Sequence, residues 1–164
     1  MKPMHDLHVH TNLSACAIKE SATVDNYIKI ARERGIKVLG FSNHMWDSKV
    51  CGASDWYKPQ NFEHIMQIRN EIPKEIDTAK ILIGCETDFY ANSVLGISEE
   101  TAKKLDYVLV PHSHTHFNNV MPKEIRFDFE KHAEFLYNSF LRLTAHPLSK
   151  YITSIVHPFA AIGL

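Results

Sequence analysis

Met4-His5-Asp6-Leu7-His8-Val9-His10 alternates in the sense of a β-strand, with Leu7 and Val9 on one side and Asp6, His8 and His10 on the other. Two histidines two residues apart on a strand face the same side, as two ligands of one metal must. The elements that follow fit around that strand. Val24, Tyr27, Ile28 and Ala31 recur at helical spacing, with Thr23 placed to cap the start and Gly35 to stop it. Lys37–Asn43 (KVLGFSN) is a short apolar run between turn residues, which predicts a buried strand. A helix is expected from about Asn61 to Ile72, ended by Pro73.

Lys80–Glu86 (KILIGCE) and Asp106–Val110 (DYVLV) read as further buried strands, and Tyr151–Val156 as a fifth. Ser98 is placed to cap a short helix that carries Glu99 and Glu100 in its first turn. Phe129, Ala133, Leu136, Tyr137, Phe140 and Leu141 form the apolar stripe expected of a long one. Strands separated by helices imply βαβ units and a parallel sheet, open or closed into a barrel.

The polar residues gather where such a sheet builds its sites. The first predicted strand ends in His8 and His10, the second in Asn43-His44, the third in Glu86; the fourth runs into His112-Ser113-His114-Thr115-His116 and the fifth ends at His157. In parallel barrels the loops at the C-terminal strand ends converge on one mouth. His44 or His157 alone would be an ordinary core or loop histidine, but ligand-type groups at all five strand ends point to metal. Glu86 is the single carboxylate of the set and can bridge two cations, so a cluster of two or more metals is expected. His64 and His132 fall within predicted helices and are read as surface residues, and His5 and His146 as structural.

Composition bounds the rest. The chain of 164 residues is 45% hydrophobic and 23% charged with a net charge of −1, which suits one soluble domain over residues 1–164 and shows no electrostatic footprint for nucleic acid. No apolar run approaches the roughly 18 residues of a membrane span. Three scattered cysteines argue for a reducing, cytoplasmic setting. Histidine stands out at 11 residues against 6 glycines.

Asp6-Leu7-His8-Val9-His10-Thr11 resembles the opening motif of the PHP domain, named for polymerases and histidinol phosphatases. The strand-end histidine of Phe41-Ser42-Asn43-His44 resembles the second motif, Gly84-Cys85-Glu86 the third, and Val156-His157-Pro158 the S-H-P-type segment that follows. The resemblance implies a distorted (β/α)7 TIM-like barrel whose mouth holds two or three divalent ions (Zn, Mn or Fe). His8 and His10 would bind one metal, and Glu86 would bridge it to a second completed by His157 and by His114 or, in the competing alignment, His112. His44 would belong to a third site. Members with three metals usually carry a histidine six positions after the opening motif's second His; here that position is Cys16, whose thiolate is a competent zinc ligand. The closing Asp-x-His of the family has no counterpart before Leu164. An incomplete barrel is therefore expected, with an open edge through which the chain could form a homodimer.

The function implied is hydrolysis of a small phosphomonoester, histidinol-phosphatase-like, by a water that two cations activate between them. Glu86 would hold the cations and His116 is the candidate proton donor. Lys58, Arg69 and Arg126 are read as solvated charges before phosphate contacts. The rival readings are an amidohydrolase-type hydrolase, which typically bridges its metals with lysine where this chain has Glu86, and a catalytically inactive metal-binding module.

Overall fold

The computed structural model describes residues 4–77 and 79–159. Five parallel strands, β1 (His5–Val9), β2 (Val38–Phe41), β3 (Lys80–Glu86), β4 (Tyr107–Val110) and β5 (Ser154–Ile155), form one sheet in chain order. The sheet curls as part of a TIM-like barrel. The helices are α1 (Val24–Arg34), α2 (Phe62–Ile65), which continues as a 3-10 turn over Met66–Asn70, α3 (Glu99–Ala102) and α4 (Phe129–Thr144). None of them is long and apolar enough to cross a membrane.

Caps fall where the sequence places them. Thr23 accepts from the Asn26 N–H, Ser98 from Thr101, and Gly35 ends α1 at φ 72, a left-handed conformation that suits glycine. Two predicted elements shrink: the helix expected over residues 61–72 holds only one α-helical turn before its 3-10 continuation, and β5 keeps Ser154–Ile155 of the predicted Tyr151–Val156, because Ser149–Tyr151 is itself a 3-10 turn.

Two apolar layers cover the outer face of the sheet. Val9, Leu39 and Phe41 pack with Val24 and Ala31 of α1, while Cys85, Val108 and Val110 pack with Ile65, Ala102 and Leu143 from the other helices. On the inner face Tyr107 lies across its neighbours. Its hydroxyl donates to the Leu7 carbonyl at 2.9 Å, so β4 reaches β1 across the curl. Gly40 and Gly84 leave the space it uses: a Cβ on Gly40 would sit 2.5 Å from the hydroxyl, and one on Gly84 2.7 Å from the ring.

Two expectations change here. The β1–β2 register shifts between Asp6 and Val9. Leu7 therefore lies over Gly40 on the inner face while Val9 joins the outer layer, so these two do not share a side. In α4 the buried face is His132, Leu136, Ser139 and Leu143, and Phe129, Tyr137 and Leu141 of the expected stripe are exposed. His132, read as a surface residue, is 3% exposed and donates from Nδ1 to the Arg126 carbonyl at 2.9 Å.

Candidate metal centre

Five imidazoles converge on one buried carboxylate. Glu86, at the inward end of β3, is 1% exposed. Its Oε2 lies 3.2 Å from His8 Nε2, 3.0 Å from His10 Nε2 and 3.4 Å from His44 Nδ1. Its Oε1 lies 3.3 Å from His157 Nε2 and 3.9 Å from His114 Nε2. The two oxygens thus face two separate groups of imidazoles, as a bridging carboxylate must.

Each ring is delivered by a strand end. His8 lies in β1 and His10 directly after it; two residues apart, they face the same side and both reach Glu86. His44 extends β2 and bridges in parallel to Glu86, with the Glu86 N–H donating to the Asn43 carbonyl and the Met45 N–H to that of Glu86. His114 follows β4. His157 follows β5 at φ 32, an unfavourable backbone for a residue with a Cβ, and the Ser113 hydroxyl holds it there by donating to its carbonyl at 2.7 Å.

The hydrogen bonds also decide which ring nitrogens carry protons. Ser113 spends its proton on the His157 carbonyl, so its oxygen accepts from His157 Nδ1 at 2.9 Å. Ser14 likewise donates to Asn43 Oδ1 at 2.9 Å and faces His10 Nδ1 at 3.4 Å as an acceptor. Asp88 Oδ1 accepts from His114 Nδ1 at 2.7 Å. With Nδ1–H held in all three rings, each ring in its neutral form turns an Nε2 lone pair toward Glu86. Two acceptors cannot face each other at 3.0 Å without a positive charge between them, either a second ring proton or a metal cation. The donor spacings around Oε2 also match the edge of a tetrahedron of ligands about 2.0–2.1 Å from a zinc-sized ion, about 3.3 Å.

Electrostatics favour the cation. Burial opposes ionisation of Glu86, yet His10, His157 and His8 hold its carboxyl far below the usual carboxylate range, so it is a fixed negative charge. Burial drives His44 down to about 3 despite the attraction of Glu86, which leaves it neutral and able to ligate. His114 is raised: burial pulls it down, but the hydrogen bond and charge of Asp88 outweigh that.

The predicted residues do not all arrive together. His8, Glu86 and His157 form one cluster whose ligand atoms lie within 4.8 Å of one another, and His10, Cys16 and His44 form a second. His8 and His10 nonetheless share Glu86 Oε2, as the opening motif leads one to expect, and His44 joins them there. His114 and not His112 reaches Glu86. His112 points elsewhere, fully buried against Phe140 and Phe159 with neither ring nitrogen hydrogen-bonded among the described residues, and burial pushes it down to about 4. That placement corrects its assignment as a ligand. His116 sits at the rim beside His114, its ring 5.6 Å away. A cavity of about 220 Å³ opens beside the centre, lined by Cys16, His44, Trp56, His114, His116 and Phe117. Neither Lys58 (paired with Asp55), Arg69 nor Arg126 lines it. His64, expected on the surface, ties α2 to the loop after β1 by donating to the Leu13 carbonyl at 2.8 Å.

Asp88 is absent from the strand-end set that the sequence presents. It is fully buried and orients His114. Its signal was the Glu86-Thr87-Asp88 spacing, which carries a second carboxylate to the same side as the first.

The family model described as PHP domain matches residues 6–154. No curated protein matches the chain.

Proposed function

The chain belongs to the PHP domain family, whose members are generally metal-dependent hydrolases of the phosphoesterase type, and from that premise we propose that it hydrolyses a small phosphomonoester in a histidinol-phosphatase-like manner. The single observation that supports this best is the Glu86 carboxylate set between two groups of histidines.

Divalent cations, two or three of Zn, Mn or Fe, would lower the pKa of a bound water and offset phosphate charge. His8, His10, His44, Glu86, His114 and His157 would hold them, with Cys16 near His10 and His44. Among the described residues the cavity lining has no lysine or arginine, so neutralisation of the phosphate would fall to those ions. Trp56 and Phe117, their ring centroids 5.4 Å apart, would pack against the organic part of the ester and exclude water there. The size of the cavity suits a small leaving group. His116, at the rim, would donate a proton to the departing alkoxide.

The test is hydrolysis of p-nitrophenyl phosphate by protein stripped with a chelator and then reloaded with Mn2+ or Zn2+, beside Glu86→Ala. Turnover that returns with metal and is lost in the variant is the expected result. Folded, metal-loaded protein without turnover above the metal blank would overturn the proposal and favour the inactive module.

A further inference from the structure

We propose that the outward face of α4 pairs two copies of this chain about a two-fold axis. The homodimer expected at the open sheet edge is thereby assigned to a helix instead.

The sheet edges are poor docking surfaces. At one end β1 presents exposed His5, Asp6 and His8, and its backbone groups are already engaged: the His8 N–H donates to Asp6 Oδ1 at 3.2 Å, and the Leu7 carbonyl accepts from Tyr107. At the other end β5 is only two residues long. Charged side chains and short strands are how sheet edges avoid pairing.

The surface of α4 is different. Its buried face is His132, Leu136, Ser139 and Leu143, which leaves Phe129, Ala133, Tyr137 and Leu141 exposed at four-residue intervals. Residues so spaced form one continuous ridge, about 18 Å long. The apolar patch extends past the helix. Phe127 stands exposed just before it, and Phe159 packs on Phe140 with ring centroids 5.8 Å apart while staying exposed itself. Phe127 and Phe129 are 73% exposed, Phe159 60%, Tyr137 57% and Leu141 45%. At roughly 200 Å² for each aromatic side chain, that leaves about 600 Å² of apolar surface, the upper end of the largest patch on an ordinary monomer.

A second copy fits this face because the ridge is complementary to itself. Its midpoint falls at residue 135. A two-fold axis there sets Tyr137 of one copy over Ala133 of the other, where the small methyl leaves a gap, and Phe129 over Leu141. Ridges of this spacing cross at about −50°, the commonest helix-packing angle. Charge follows the same symmetry. Lys131 is held by Asp128, but Glu130 and Glu134, in the first half of α4, are in no ion pair among the described residues. Nor is Arg142, in the last turn, whose Nε and Nη2 also lack hydrogen-bond partners. Antiparallel pairing brings each acidic half beside Arg142 of the other copy. Two such patches would bury about 1,200 Å², the lower bound of a stable interface, so a dimer with a micromolar dissociation constant is expected.

Sedimentation equilibrium over about 1–100 µM chain, with a chelator present so that no ion bridges two copies, is expected to show a monomer–dimer equilibrium. Tyr137→Arg and, independently, Ala133→Glu should raise the dissociation constant at least tenfold with an unchanged circular dichroism spectrum, since both positions are exposed. Arg142→Glu should weaken the pair, and adding Glu130→Lys with Glu134→Lys should restore it, which a misfolded variant would not do. A monomer across the whole range would overturn the proposal, including one that sediments with lipid vesicles through this face. A dimer indifferent to Tyr137→Arg and Ala133→Glu would overturn it as well and return the contact to the sheet edge.

Discussion

His114 Nδ1 lies 2.7 Å from Oδ1 of Asp88, a carboxylate that solvent does not reach, while the same ring turns Nε2 toward Glu86. One buried acid thus sets the tautomer and direction of a histidine that faces the other. Supports of this kind are commonly worth 10–100-fold in metal affinity.

Asp88→Ala is accordingly expected to weaken metal binding at the His114 side by roughly tenfold or more. Isothermal titration with Zn2+ reads this out, with circular dichroism to show that the fold persists. Affinity equal to that of the parent chain would mean that His114 is no ligand or needs no orientation.

Glu86→Ala should lower the metal content by more than one ion per chain, since both carboxylate oxygens face candidate ligands. Plasma emission spectrometry on dialysed protein gives the count. Unchanged stoichiometry would remove the bridging role.

The inner face predicts a steric result. Gly84→Ala would place a methyl group 2.6 Å from the Tyr107 carbonyl oxygen and 2.7 Å from its ring, a clash with backbone that no rotamer relieves. A loss of about 3 kcal/mol in urea unfolding is expected. Tyr107→Phe deletes the hydrogen bond to Leu7 without creating a clash and should cost about 1 kcal/mol.

His112 predicts a pH dependence. Its folded pKa of about 4 lies below the ordinary histidine value of 6.5 because burial disfavours the charged ring. Between those values the unfolded chain binds more protons, so this contribution to stability is complete above pH 6.5 and declines as the pH falls toward 4. From pH 7 to pH 5 the decline is about 2 kcal/mol. Urea midpoints of the metal-free parent and of His112→Leu at both pH values give the comparison: the variant should lose less stability over the interval. Equal losses would show that His112 takes up no proton on unfolding.

Strand and helix positions were legible in the sequence because each is decided by near neighbours. The Thr23 and Ser98 caps and the Gly35 stop all depend on residues one to four positions apart, where sterics and local hydrogen bonding act. The strand-end residues followed, since βαβ order brings successive strand ends to one side of a sheet. His8, His10, His44, Glu86, His114 and His157 are therefore all legible as strand-end donors from the sequence alone. What only the tertiary structure decided depends on register and curl, which are sums over the whole sheet. The offset after Asp6 sends Leu7 and Val9 to opposite faces, and the path of the chain after Val110 turns His114 inward and His112 toward Phe140. The pairing of Asp88 with His114 and the association of Cys16 with His10 and His44 are through-space distances between separate segments. A sequence supplies the donors, but a distance of 3 Å between two of them exists only after the strands have paired, because no local rule carries the position of one strand end to the next.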